Sequence, residues 1–257
     1  DDSQRGESGS WHIAMGLEYA VDDRNSIGSA VGYSRGDQVI SGARAAIATS
    51  QAAFYASHRL GRGFYLGGQA DIAYSRIDAA SRLGHAGARF DVDSSATGLN
   101  GTVELGYNAE MDGLTLTPRA SIGYTSYSVR GFTDPTSQLG LAVDGLSRSG
   151  IDLRTGLRIA GRRSLGLVGT WSFQPEVQVD YVQRLSGKDT RIDVHFLEAA
   201  GLGISLPVSL HDADYGEIRG GLQLADGEIS IGTAVEARIG QQSYRDERAV
   251  VNVGLRF

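Results

Sequence analysis

The feature that most constrains this chain is an alternation of apolar with small or charged residues, recurring along nearly its whole length with the charges kept to one side. Ala249 to Phe257 is a compact instance. Val251, Val253, Leu255 and Phe257 fall on one face of an extended chain and Asn252, Gly254 and Arg256 on the other. From Trp11, the odd positions Trp11, Ile13, Met15, Leu17, Tyr19 and Val21 oppose His12, Ala14, Gly16, Glu18 and Ala20. Ile151, Leu153, Leu157 and Ile159 alternate with Asp152, Arg154, Gly156 and Arg158, while Phe173, Val177, Val179 and Tyr181 alternate with Gln174, Glu176, Gln178 and Asp180. Further period-2 segments lie near 26–35, 64–77, 97–110, 113–129, 215–225, 228–239 and 247–257, with a weaker, alanine-blurred one near 43–60. That makes eleven expected strands and no amphipathic helix. The fold class is all-β.

Composition narrows the class. A chain of 257 residues with no Pro-rich or Ser-rich linker reads as a single barrel-sized domain over 10–257, preceded by a loop or linker remnant at 1–9. A net charge of −6 with no basic run argues against a nucleic-acid partner. Cysteine is absent, which removes disulfide scaffolds, thiolate metal sites and cysteine nucleophiles. There is no stretch of about 18 apolar residues, and the first ten residues do not form a signal peptide. A membrane protein of this composition has to be a barrel.

The expected connections alternate in length. Tight turns fall at Asp22 to Asn25, Gly61 to Gly63, Met111 to Gly113 and Ala225 to Gly227, with a somewhat longer one at Gly161 to Gly166; longer links fall near 36–42, 78–94, 130–146, 185–213 and 240–246. Short turns at one end of the sheet and long loops at the other are typical of outer-membrane barrels. On the apolar face Trp11, Tyr33, Tyr74, Tyr124 and Tyr181 fall at the long-loop end, and Tyr19, Phe64, Tyr107, Phe173 and Phe257 at the short-turn end. The step from Trp11 to Tyr19 spans roughly 26 Å along a strand, or about 20 Å along the axis at a tilt of ~40°, close to the ~25 Å apolar band of such barrels. Amphipathic rings belong at both interfaces. The expected surroundings are therefore a lipid bilayer and lipopolysaccharide.

Glycine is unusually common, 36 residues against four prolines. Most strand glycines, among them Gly16, Gly28, Gly32, Gly67, Gly98, Gly106, Gly123, Gly156, Gly221, Gly232 and Gly254, share the polar face; Gly68, Gly101 and Gly220 are the exceptions expected on the apolar one. The polar face also carries Asp71, Glu104, Arg119, Asp152, Arg154, Arg158, Glu176, Asp180, Glu217, Arg219, Glu236, Arg238 and Arg256, a pore-lining set that a packed soluble core would not tolerate. Parity adds a deduction: the first and last expected strands start on the same side, whereas an antiparallel barrel closes with an even number. One further strand is expected, either before residue 1 or hidden at Arg191 to Phe196.

These residues bring the chain close to a known family. Gly61-Arg62-Gly63-Phe64-Tyr65-Leu66 leading to Ala73-Tyr74-Ser75, Leu114 to Thr125 followed by Gly131-Phe132-Thr133, and the ending Val253-Gly254-Leu255-Arg256-Phe257 together resemble the C-terminal translocator, or β-domain, of classical autotransporters from about Trp11 onward. The resemblance implies a twelve-stranded barrel in the outer membrane of a Gram-negative bacterium, exporting and anchoring a covalently linked passenger, with a linker helix in the pore. It also implies that the outer-membrane barrel assembly machinery reads Val253, Leu255 and Phe257 as its signal. Asn252 stands where that pattern usually has glycine.

The sequence offers little enzymatic chemistry. Of the histidines, His85, His195 and His211 fall in expected loops, His58 near a turn and His12 in the lumen, none within a nucleophile-elbow or metalloprotease pattern. Self-cleavage inside the barrel would draw on lumenal Asp71, Glu104 and Glu176, yet Asn25, Asn100, Asn108 and Asn252 are never paired with another asparagine. No cofactor or metal is expected. The competing readings are a porin or adhesin without a passenger and a barrel lipase or protease.

Overall fold

The computed structural model describes residues 7–40, 43–83, 88–134, 140–164, 171–187, 190–197, 203–208, 214–226, 229–240 and 247–255. In chain order the strands are β1 Glu7–Ala20, β2 Asn25–Ile40, β3 Ala43–Gly61, β4 Phe64–Leu83, β5 Ala88–Tyr107, β6 Ala109–Met111, β7 Leu114–Val129, β8 Phe132–Asp134 and β9 Leu141–Val143. They continue as β10 Leu146–Gly161, β11 Arg163–Ser164, β12 Ser172–Arg184, β13 Thr190–Phe196, β14 Gly203–Val208, β15 Asp214–Ala225, β16 Ile229–Ile239 and β17 Glu247–Leu255. No helix occurs among the described residues.

The main sheet is antiparallel throughout, in the order β1-β2-β3-β4-β5-β7-β10-β12-β15-β16-β17, with β6 on β7 and β11 on β12 as short additions. Its eleven long strands are those expected from the alternation. An odd antiparallel path leaves β1 and β17 running the same way, and among the described residues neither pairs with the other.

Register gives the sheet its tilt. The row through Tyr19, at the short-turn end of β1, passes Ile27, Ala56, Gly68, Val103 and Ile122 and arrives at Leu153 opposite Gln183, near the long-loop end of β12. Such stagger is what inclined barrel strands require. The turn expected at Gly161 to Gly166 is displaced, since Arg163–Ser164 is strand paired with Ser172 and Phe173 and residues 165–170 lie outside the described residues. Residues 227–228, at the turn expected at Ala225 to Gly227, also lie outside them. The other short turns are locally determined. Arg62 and Asp112 take the left-handed backbone (φ 53° and 45°) between or beside glycines. At Val21–Asn25 the Asp22 carboxylate instead accepts hydrogen bonds from the Asn25 side chain (2.7 and 2.9 Å) and from the backbone N–H groups of Arg24 and Asn25.

Several expectations about the long-loop end are corrected. The links expected near 36–42 and 78–94 are largely strand: β2 and β3 pair out to Ile40↔Ala43, and β4 and β5, twenty residues each, pair out to Leu83↔Ala88. About 9–11 residues suffice to cross a bilayer, so these hairpins rise well beyond it. Alternation fades there because neither face must meet lipid, while backbone hydrogen bonding still favours the ladder. The chain is already in β1 at Glu7, inside the segment expected as a remnant; residues 1–6 lie outside the described residues. Arg191 to Phe196 is indeed strand, within β13, but not a wall strand. It belongs to a separate four-stranded sheet, β14-β13-β9-β8, that ties the connection after β7 to the one after β12.

Candidate functional site

The two faces of the main sheet reverse the usual order of a folded protein. Large apolar side chains are the exposed ones: Ile13, Met15 (75%), Leu17, Val31, Ile72, Val103, Ile122, Val177 and Val251 all stand open on one face. The buried set is mostly polar, including Thr117, Ser121, Asp180 (3%) and Glu217 (6%), with Val182 and Tyr215 as the buried apolar members. A continuous exposed apolar face of this extent is a lipid-facing surface. Each lumenal charge must then find a partner across the strands.

Most do, and the register explains how. One row runs Tyr65–Gly106–Arg119–Gly156–Asp180–Glu217–Arg238, across β4, β5, β7, β10, β12, β15 and β16. Arg119 straddles the bare Gly156 and grips Asp180 with a fork, Nε to Oδ1 at 3.1 Å and Nη2 to Oδ2 at 2.6 Å. A Cβ at residue 156 would collide with the Asp180 carboxylate, so glycine is needed for this crossing. Gly106 serves likewise beneath the Tyr65 ring, whose hydroxyl donates to Glu104 Oε1 at 2.7 Å while Glu104 Oε2 accepts from Arg119 at 3.0 Å. The Gln178 amide donates to Asp180 at 2.7 Å. Glu217 is shared by Arg154 and Arg238 (3.0 and 3.1 Å), Arg158 pairs with Glu176 (2.7 Å), Arg184 with Asp152 (2.9 Å), and Asn100 donates to Asp71 (2.7 Å).

Of the expected pore-lining residues, Asp71, Glu104, Arg119, Asp152, Arg154, Arg158, Glu176, Asp180, Glu217 and Arg238 are thus brought into one connected face. Arg219 and Glu236 are opposite each other in register on that face, without an ion pair or hydrogen bond among the described residues. Arg256 lies outside the described residues. The expected pore-lining set omitted Tyr65, Asn100, Gln178 and Arg184, although their parity with the charged residues was an available signal. Gly216 also falls on the apolar face, in addition to the three glycines expected there.

On the outward face Trp11 stacks at a tilt against Tyr33 (5.5 Å between ring centres) at the long-loop end, and Phe64 against Tyr107 (4.8 Å) at the short-turn end. Tyr19, Tyr74, Tyr124 and Tyr181 are exposed on the same face, and Phe173 is half-buried. Val253 is exposed and pairs with Ile231; Leu255 pairs with Ile229. Phe257 lies outside the described residues.

The histidines do not converge. His58 is hydrogen-bonded to Asn25 (2.6 Å), His195 meets Asp144 (3.1 Å) on the exposed small sheet, and His85 and His211 lie outside the described residues. Among the described residues no three histidine or carboxylate groups cluster as metal ligands.

A tilted antiparallel sheet, apolar outside and ionic within, defines the class of outer-membrane β-barrels. The family is narrower: the autotransporter β-domain family model matches residues 1–232, and the chain belongs to that family. Its fold is similar to the translocator domain of the autotransporter NalP from Neisseria meningitidis (TM-score 0.76, 15% identity, covering 100% of this chain and 83% of that one). It is likewise similar to the transport unit of AIDA-I from Escherichia coli (0.73, 12%, 100% and 86%) and to the β domain of the Bordetella autotransporter BrkA (0.64, 15%, 96% and 89%). No curated protein sequence matches. The chain is an outer-membrane translocator of a Gram-negative bacterium, mediating export of a linked passenger and anchoring it at the cell surface.

Proposed function

We propose that this translocator works as a template and conduit: the barrel is inserted with the outer-membrane assembly machinery, and the passenger crosses as a hairpin held by one or both pores. The observation that carries this reading is the connected polar face, which would let a wet lumen persist inside a wall whose other side meets lipid. Val253, Leu255 and Phe257 would form the assembly signal. The aromatic residues Trp11, Tyr33, Tyr74, Tyr124 and Tyr181 would border lipopolysaccharide at the outer interface, and Tyr19, Phe64, Tyr107 and Phe173 the inner one. Because the chain carries no nucleotide-binding motif, folding of the passenger outside supplies the driving force. A linker helix would occupy the lumen.

We infer no chemical step. Asp71, Glu104 and Glu176 are each engaged by Asn100, by Arg119 with Tyr65, and by Arg158, which favours structural service over self-cleavage. The test is protease shaving of intact cells expressing the full-length protein. Passenger fragments should be released from the surface, and this should fail with Leu255→Asp, whose heat-modifiable barrel band should also be lost; an unchanged band would overturn the outward assignment of that strand.

A further inference from the structure

On the lumenal face near the short-turn end, β10, β12, β15, β16 and Val250 of β17 line a half-open cavity of about 150 Å³. Its floor is bare because Gly221 and Gly232 contribute no side chain, and its polar walls include Gln174 and Gln223. Its charged lining is one carboxylate, Glu176, and two guanidinium groups, Arg158 and Arg219. They are not equivalent: Arg158 is neutralised by Glu176 at 2.7 Å, whereas Arg219 is exposed and makes no ion pair or hydrogen bond among the described residues. Glu236 is its register partner on β16 and does not bridge it. A cavity with one uncommitted guanidinium and flanking carboxamides, of which Gln174 gives one N–H to Ser172 Oγ at 3.1 Å and keeps a second, is suited to accept an oxygen anion.

We propose that this cavity is a carboxylate seat in the lumen, with Arg219 as its cationic ligand and Gln174 and Gln223 as flanking donors. This deepens the translocator reading and rests on it for one source of the carboxylate, an acidic side chain of the linked polypeptide; the other source is a free anion entering from the short-turn side. Arg is suited to such a seat because its charge is permanent and its fork matches two carboxylate oxygens.

The chain contains no cysteine, so Ala234→Cys, at a lining position with no part in the proposed seat, places one reporter thiol in this barrel of the full-length protein, with correct assembly checked by the heat-modifiable band. The thiol is reacted with an anionic and a cationic methanethiosulfonate reagent of similar size. An open seat reacts faster with the anionic reagent, and Arg219→Gln lowers that preference roughly three- to tenfold, the range expected for removing one charge at contact distance in a partly hydrated site. A seat held by the linked polypeptide protects the thiol from both reagents; Arg219→Gln removes the protection and Arg219→Lys largely restores it. Either pattern supports the seat and identifies its source. A cationic preference, or rates that Arg219→Gln leaves unchanged, overturns it. Surface shaving of the passenger, run on the same cells, separates the two readings: a charge preference without passenger delivery would keep the seat and sink the export role.

Discussion

The lumenal surface consists of two unlike walls. Across β1 to β3 it carries fewer charges, with Ala14, Gly16, Ala30 and Ala53 facing inward beside His12, Glu18, Gln51 and Tyr55, the Tyr55 ring lying against Gly28 and the Gln51 side chain against Gly32. From β4 through β16 it is a lattice of ion pairs centred on Arg119, Asp180 and Glu217. Both walls sit behind the same apolar outer face, so the difference is not imposed by the membrane. The ionic wall fixes the register of its strands through paired charges, whereas the first three strands meet the lumen with few charges and with the Tyr55 and Gln51 side chains laid over glycines.

The comparison breaks first at Arg119. Arg119→Met should cost about 3–5 kcal/mol of barrel stability, because Asp180 and Glu104 would be left without their cation in a poorly hydrated place; urea titration in detergent micelles measures it, and a loss below 1 kcal/mol would mean the lattice is ornamental. Val253→Arg tests the shared outer face at ~2–4 kcal/mol, falling toward zero if that position lies at an interface. Gly156→Ala should cost roughly 1–3 kcal/mol by pushing the Asp180 carboxylate off its line to Arg119 and crowding the Val179 carbonyl, and only the first part of that cost should be lost in the Arg119→Met background. Gly67→Ala, where a Cβ would meet nothing within 4 Å, should instead stabilise the strand by about 0.5–1 kcal/mol.

The smallest effect is a pH dependence at the turn outside the bilayer. Hydrogen bonds from the Asn25 side chain, then from the Arg24 backbone, hold the Asp22 carboxyl below its usual value of 3.8. A depressed acid contributes stability above its unfolded value and loses it as the pH falls through the folded one. The melting temperature should therefore drop slightly below about pH 4 in the native chain, and Asp22→Ala should lack that increment.

Much of this was legible in residues taken singly. Asp152, Arg154 and Arg158 alternate with Leu153, Leu157 and Ile159, and that parity assigned their faces before any pairing was known. Tyr65 was not legible, because its role depends on Gly106 lying opposite it on another strand. Nor was the continuation of β4 to Leu83, since beyond the lipid the alternation loses its physical cause while the hydrogen-bonded ladder does not.

The sequence by itself determined the eleven long wall strands, the two faces, the turns at Asp22–Asn25, Gly61–Gly63 and Met111–Gly113 and the family, because period-2 patterning and turn chemistry are local. Only the tertiary structure decided which charges meet, that glycines 106 and 156 are crossings rather than gaps, and that β13 joins a sheet outside the wall. Those outcomes depend on register between strands far apart in the chain. A shift of one residue reverses every facing side chain.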